Sequence, residues 1–184
     1  MSGRYFIALP VSDAARTLCT AFIEELRSAA SVRWERQDKF HITLRFLGEL
    51  KDGGVPVLIS ALERTLTGQT SFAVTLNSIG AFPSMERPRV LFCAAEKNDP
   101  LSALHSEIEQ CSISLGFAPE ERDYHPHITL GRVNGMRDID AVREVMKRIH
   151  FAPLTFTADR VVLMRSDNEQ RSSSYTTLVS VPLR

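Results

Sequence analysis

The chain has 184 residues, 43% of them hydrophobic and 24% charged, and its 22 basic and 22 acidic side chains cancel. That size gives one ordinary domain or two small lobes sharing a core, and the composition is that of a soluble globular protein. A net charge of zero excludes a general electrostatic grip on long nucleic acid, so a polyanionic ligand has to be recognised locally.

Near the start, Tyr5, Ile7 and Leu9 alternate with smaller or different neighbours and predict a strand. The apolar run there is too short for a signal peptide or a membrane span, and a cytoplasmic protein is expected. Ser12 is the expected N-cap of a helix in which Leu18, Phe22 and Leu26 recur at helical spacing. Asp52-Gly53-Gly54 predicts a turn, since Asp and Gly tolerate the dihedrals of tight turns. A second helix follows with Pro56 in its first turn, Val55, Leu58, Leu62 and Leu66 on one side, and Gly68 at its end. Phe72, Val74 and Leu76 alternate as a strand, and Arg89 to Ala95 is a short, mostly apolar run.

The third helix has the clearest grammar. Asp99 precedes Pro100, Leu101, Leu104, Ile108, Cys111 and Leu115 form a stripe, and Gly116 stops it. From about Asp138 a fourth helix turns Ile139, Val142, Met146 and Ile149 inward. Val161 to Arg165 predicts a strand, as does the alternation of Tyr175, Thr177, Val179, Val181 and Leu183, with a hairpin loop over Asn168 to Ser174. Cys19, Cys93 and Cys111 lie far apart with no CxxC spacing, which predicts reduced, buried thiols.

Two of the five histidines stand in identical words, His41-Ile42-Thr43-Leu44 and His127-Ile128-Thr129-Leu130, nearly half the chain apart. Two helices and several strands flank each word, so the chain reads as two α+β halves with the same parts and no linker between them. A lone His on a strand is usually an ordinary half-buried residue. Duplication of a mere packing motif, however, would not favour His over Val or Leu.

On a strand, residues i and i+2 share a face, roughly 6.5–7 Å apart. His41 therefore projects with Thr43, and His127 with Thr129, while Ile42, Leu44, Ile128 and Leu130 anchor the strands from behind. Two imidazoles with ordinary pKa values of about 6.5, beside two hydroxyls, suit a phosphodiester. Its displacement needs a base for the entering oxygen and an acid for the leaving one.

Five residues beyond each histidine stand Phe46 and Arg132. A guanidinium at Arg132 matches phosphate geometry, and Phe46 suits stacking on a base or packing in the core. Regular pleating gives offset five the wrong parity, so Arg132 reaches the site only through an irregularity such as a bulge at Gly131. His125 is expected beside the site or exposed, and His105 and His150 to be structural. Arg45, Arg87, Arg89, Arg132 and Arg165 are candidates to line an entrance. No Asp, Glu or Cys falls at ligand spacing within the words, so no metal is expected.

These residues resemble the two-histidine phosphoesterase superfamily, defined by two His-x-Thr words facing one cleft. More narrowly, the chain is similar to the bacterial LigT-like RNA 2′,3′-cyclic phosphodiesterases. The likeness runs over nearly the whole chain, through Arg4 to Leu9, Phe40 to Glu49, Ile79 to Pro83, Arg87 to Leu91, Pro126 to Arg132, Leu163 to Ser166 and Tyr175 to Leu178. Cys93 departs from it, standing where a large aromatic is commoner.

The resemblance implies an α+β fold, a bilobal, pseudo-symmetric duplicate forming one domain over residues 1–184, with two intertwined lobes. Two antiparallel sheets would line a central cleft, with helices outside. It implies metal-independent hydrolysis of an RNA terminal 2′,3′-cyclic phosphate to a 2′-phosphomonoester, with no cofactor. His41 and His127 would be the acid–base pair, Thr43, Thr129 and Arg132 phosphate contacts, and Phe46 a base-stacking residue. RNA ends or short oligonucleotides are the expected partners of a monomer with no membrane attachment, and some family members also join RNA ends in reverse. Three alternatives stay open at this level: a phosphodiesterase for 2′-5′ oligonucleotides or another cyclic nucleotide metabolite, a module that binds a nucleotide phosphate without turnover, and a structural domain without a ligand.

Overall fold

From Tyr5 to Leu9, strand β1 (Ser2–Pro10) is apolar on both faces, and both are buried. Tyr5, Ile7 and Leu9 join the main core, while Phe6 and Ala8 form a small separate cluster with Val162, against which Met164 and Tyr175 pack. Such a strand belongs inside a sheet covered on both sides, and β1 has a neighbour along each edge. The computed structural model describes residues 2–27, 32–135, 139–168 and 173–184.

The first half of the chain continues through helix α1 (Asp13–Arg27), β2 (Val32–Trp34), β3 (His41–Lys51), helix α2 (Val55–Leu66), β4 (Phe72–Phe82) and β5 (Val90–Ala95). Helix α3 (Asp99–Ser114), β6 (His127–Val133), helix α4 (Ile139–Arg148), β7 (Leu154–Ala158), β8 (Arg160–Asn168) and β9 (Ser173–Pro182) complete it. Every pairing is antiparallel. The two expected sheets are present as β3-β1-β8-β9 and β7-β4-β5-β6, with β2 also paired to β6, and one residue pair, Ile42 with Ile128, fuses them into a single nine-stranded sheet.

Helices cover one face, and they cross between the halves. Helix α1, which leaves β1, packs on α4 and β7, and α3, which leaves β5, packs on α2 and β3.

Local signals set the helix ends. The Ser12 hydroxyl accepts from the Ala15 N–H at 3.2 Å. Asn98, one residue ahead of Asp99, caps α3 by accepting from the Leu101 N–H at 2.9 Å. Gly116 follows α3 at φ +91°, a left-handed conformation that favours glycine. Asp52–Gly54 forms one short 3₁₀ turn. Helix α4 begins at Ile139, and the expected start at Asp138 lies outside the described residues. Strands β8 and β9 form the expected hairpin, in register to Asn168 and Ser173, with positions 169–172 outside the described residues.

Two bulges decide what faces the site. Along β1, Ile7 pairs with Arg45 and Ala8 with Thr43, so Leu44 is an extra residue in β3. Along β5, Leu91 pairs with Gly131 and Phe92 with Thr129, so Leu130 is extra in β6. The irregularity expected at Gly131 is thus present one residue earlier, and it occurs in both words at the closing leucine. An extra residue inverts the pleat beyond it. Phe46 pairs with Phe6 and Arg132 with Val90, on the face of the histidines, while Arg45 and Gly131 turn to the helix side.

Arg45 accordingly does not line an entrance. Only 6% exposed, it lies 2.8 Å from the Glu109 carboxylate of α3, off the line of a hydrogen bond, with Glu120 at 3.3 Å and the Ala118 carbonyl accepting from it. Removing one partner of such a buried pair costs about 3–5 kcal/mol, so this contact ties α3 firmly to the strand carrying the first word. Gly131 has no room for a side chain, because a Cβ there would lie 2.7 Å from Val32 and 2.9 Å from Trp34. Cys19, Cys93 and Cys111 are free thiols. The first two are buried, whereas Cys111 is only half-buried. A hydrogen bond with Cys19, then burial, pushes the Cys93 thiol far up, so it stays protonated.

Candidate active site

The two words meet at the Ile42–Ile128 bridge, and both isoleucines are fully buried. Burying such a side chain contributes about 1.5–3 kcal/mol, so the contact between halves is anchored from behind. His41, Thr43, His127 and Thr129 stand half-buried on the other face. On a regular ladder about this bridge His41 lies opposite Thr129 and His127 opposite Thr43. The imidazoles are then diagonal neighbours, with a spacing of about 7–8 Å for such pairs.

Each ring is aimed by a carbonyl two residues upstream. His41 Nδ1 lies 2.6 Å from the Lys39 carbonyl and His127 Nδ1 lies 2.7 Å from the His125 carbonyl. A carbonyl oxygen only accepts, so each Nδ1 carries the proton and donates it, which leaves each Nε2 as the reactive nitrogen. The Thr43 hydroxyl is 3.1 Å from His41 Nε2 and donates to it.

Aromatic rings wall both imidazoles. The Phe6 and Tyr175 centroids lie 4.8 and 5.6 Å from His41, and those of Phe82 and Phe92 lie 5.1 and 5.3 Å from His127. Burial pushes His41 down from 6.5 to about 4, with the Lys39 carbonyl opposing and the charges of His127 and Arg16 adding to the fall. Burial also lowers His127, opposed by the His125 carbonyl and reinforced by the charges of His125 and Arg132. Both rings are therefore neutral at pH 7 in the free protein. The charge of His127 thus reaches His41, and the charge of Arg132 reaches His127.

Beside the rings a pocket of about 390 Å³ is lined by Arg4, Phe6, Arg33, Phe46, Arg132 and Tyr175, among others. Phe46 is 61% exposed, with its ring 6.0 Å from Phe6. Thr129 stands half-buried on the same face. A larger pocket of about 480 Å³ lies beside α1, lined by residues such as Thr20, Trp34 and Phe40. No residue of either word lines either pocket, and the smaller one is lined by Phe6 and Tyr175, the rings against His41.

The remaining candidates do not line the 390 Å³ pocket. Arg165 pairs with Asp167 at 2.8 Å, and Arg87 and Arg89 are exposed. His125 is exposed and contributes its carbonyl to the site. His105 stacks on Tyr124 at 3.9 Å, and His150 lies exposed just past α4. Among the described residues no group of three or more His, Cys, Asp or Glu could hold a metal ion. The sequence reading missed the aromatic walls, the two carbonyls and Arg33. Phe6 at least carried a signal, since it interrupts an alternation otherwise explained by the core.

Two imidazoles with unprotonated Nε2 atoms, the first accepting only from the Thr43 hydroxyl, stand on one face with a guanidinium and two hydroxyls and can exchange protons with an anionic group held between them. The sequence profile of the 2′-5′ RNA ligase superfamily matches residues 12–170. The chain belongs to that superfamily. Among its relatives, the RNA 2′,3′-cyclic phosphodiesterase of Methanothermobacter thermautotrophicus is 29% identical over 178 residues, 96% of each chain. The enzyme of the same name from Geobacillus stearothermophilus is 27% identical over 98% of this chain, which spans only 57% of that relative's length. The solved structure of E. coli LigT complexed with 3′-AMP superposes with a TM-score of 0.78 at 21% identity, covering 100% of this chain and 99% of that one. That superposition shows a shared fold.

Proposed function

We propose that the chain is an RNA 2′,3′-cyclic phosphodiesterase that opens a terminal cyclic phosphate to a 2′-phosphomonoester by paired-histidine acid–base catalysis. The observation that carries this reading is the matched pair of Nε2 nitrogens, each oriented by its own backbone carbonyl. Relatives that bear this name, and that align over nearly the whole chain, support the substrate class.

One Nε2 takes a proton from water as its oxygen attacks phosphorus opposite O3′. The other, protonated, gives its proton to O3′ as the P–O3′ bond breaks. The product carries a phosphate on O2′ and a free 3′-hydroxyl. Arg132, Thr43 and Thr129 hold the phosphoryl oxygens, whose charge grows in the transition state. Phe46 offers a stacking face for the terminal base.

The pH dependence follows from the shifts. An imidazole acting as base must be neutral, so activity falls as pH drops through its pKa. One acting as acid must be charged, so activity falls as pH rises through its pKa. Both rings lie below 6.5, with His41 at about 4. The kcat/KM optimum, which reports the free enzyme, is therefore expected between about 4 and 6.5. The kcat profile should lie higher, because a bound phosphate favours imidazolium.

Turnover of a nucleoside 2′,3′-cyclic phosphate in EDTA across this range tests the reading, with the 2′-monophosphate as sole product. A 3′-monophosphate product, binding without turnover, full inhibition by the chelator, or a kcat/KM optimum above neutrality would each contradict it.

A further inference from the structure

Strand β2 places Arg33 directly opposite Arg132 of β6. Directly opposed residues share a face. Val32 and Trp34, which flank Arg33, pack on the core side over Gly131, so Arg33 and Arg132 both point to the face of the words. Like charges directly opposed on adjacent strands destabilise a sheet. Among the described residues neither guanidinium has a carboxylate within the 4.0 Å of an ion pair.

Both arginines line the 390 Å³ pocket, which adjoins His41 through Phe6 and Tyr175, and Arg4 lines it from β1. Two carboxylates are nearby: Glu35 lines the same pocket, and Glu49 lies 3.8 Å from Arg4. Three cations against two anions leave the pocket positive, with the excess on the Arg33–Arg132 pair. Arg132 is the member whose charge reaches His127. Arg33 stands one strand further out, about 4.8 Å by ordinary strand spacing, with Phe46 and Tyr175 also lining the pocket.

We propose that Arg33 forms, with Arg132 and Arg4, a second anion subsite that holds the phosphodiester on the 5′ side of the terminal nucleotide, so that the enzyme selects oligonucleotide ends over lone cyclic nucleotides. This inference rests on the phosphodiesterase reading above. With the cyclic phosphorus between the imidazoles, the ribose and its base occupy the pocket between Arg132 and Phe46, and the next phosphate meets Arg33.

Steady-state kinetics on three substrates tests it: a nucleoside 2′,3′-cyclic phosphate, the same compound bearing a 5′-phosphate, and a dinucleotide ending in the cyclic phosphate. The native enzyme should show a KM at least about 10-fold lower for the two phosphate-bearing substrates, the scale of one charge-assisted contact. That preference should shrink with added salt. Arg33→Ala should bring the KM ratio close to one with kcat nearly constant, and Arg33→Lys should restore part of it.

A native enzyme with equal KM for all three substrates would overturn the inference and leave the phosphodiesterase reading standing. So would an Arg33→Ala variant that keeps the preference or loses activity uniformly. Preference for the dinucleotide alone would overturn the assignment of a phosphate and point to the second base instead. Absence of turnover on all three by the native enzyme would remove the proposed function, and this inference with it.

Discussion

Alanine at His41 or at His127, made separately, is expected to lower kcat on a cyclic-phosphate dinucleotide on the order of 10²-fold or more, the contribution of one positioned acid or base. KM should change far less, because the proton transfers develop in the transition state. The double variant should lose little beyond the worse single, since two groups that serve one displacement act as a unit. His41 packs against Phe6 and Tyr175, so a cavity could mimic a catalytic defect. Asparagine separates the two causes: its amide N–H can replace Nδ1–H as donor to the Lys39 or His125 carbonyl while supplying no titrating nitrogen. His41→Asn and His127→Asn should therefore melt close to the native temperature and remain as inactive as the alanine variants. Near-native turnover by either would remove the paired mechanism.

Arg132→Ala carries the second large effect, a loss of about 10²–10³-fold in kcat, the usual consequence of deleting one preorganised partner of a developing oxyanion. Arg132→Lys should recover only part, because an ammonium lacks the planar fork that meets two phosphoryl oxygens at once. A second readout distinguishes this role from a solvated charge. The positive charge of Arg132 lowers His127, so its removal relieves that effect and His127 should titrate higher than in the native protein. A His127 resonance followed by NMR through pH 4–7 would show the rise. An unchanged titration together with unchanged kcat would place the guanidinium away from the site.

Helices were legible because their ends are written in single residues. Ser12 ahead of α1 and Gly116 after α3 each satisfy or release backbone groups at a definite position. The repeated word was legible because a half-exposed strand advertises its two faces by alternation. The bulges were not. Leu44 followed by Arg45 looks like an apolar residue followed by a surface charge, and only the buried Glu109 partner reveals that both face the helices.

In the second copy the same step reads Leu130-Gly131, and the glycine is needed because β2 closes over it. Strand β2 itself is three residues long, too short for any alternation to register, which hid Arg33. The carbonyls of Lys39 and His125 left no trace in the sequence, since any residue at those positions presents the same oxygen. Fusion of the two sheets through one isoleucine pair is likewise a property of register, which hydrophobic pattern alone does not specify.

The central claim is that both imidazoles address one phosphorus atom. The most direct measurement is a crystal structure with a nucleoside 2′-monophosphate bound. His41 Nε2 and His127 Nε2 should each lie about 2.7–3.2 Å from oxygens of the same phosphate, on opposite sides of it, with Arg132 on a third oxygen. A phosphate seated on one word alone, with the other ring beyond hydrogen-bonding distance, would contradict the account.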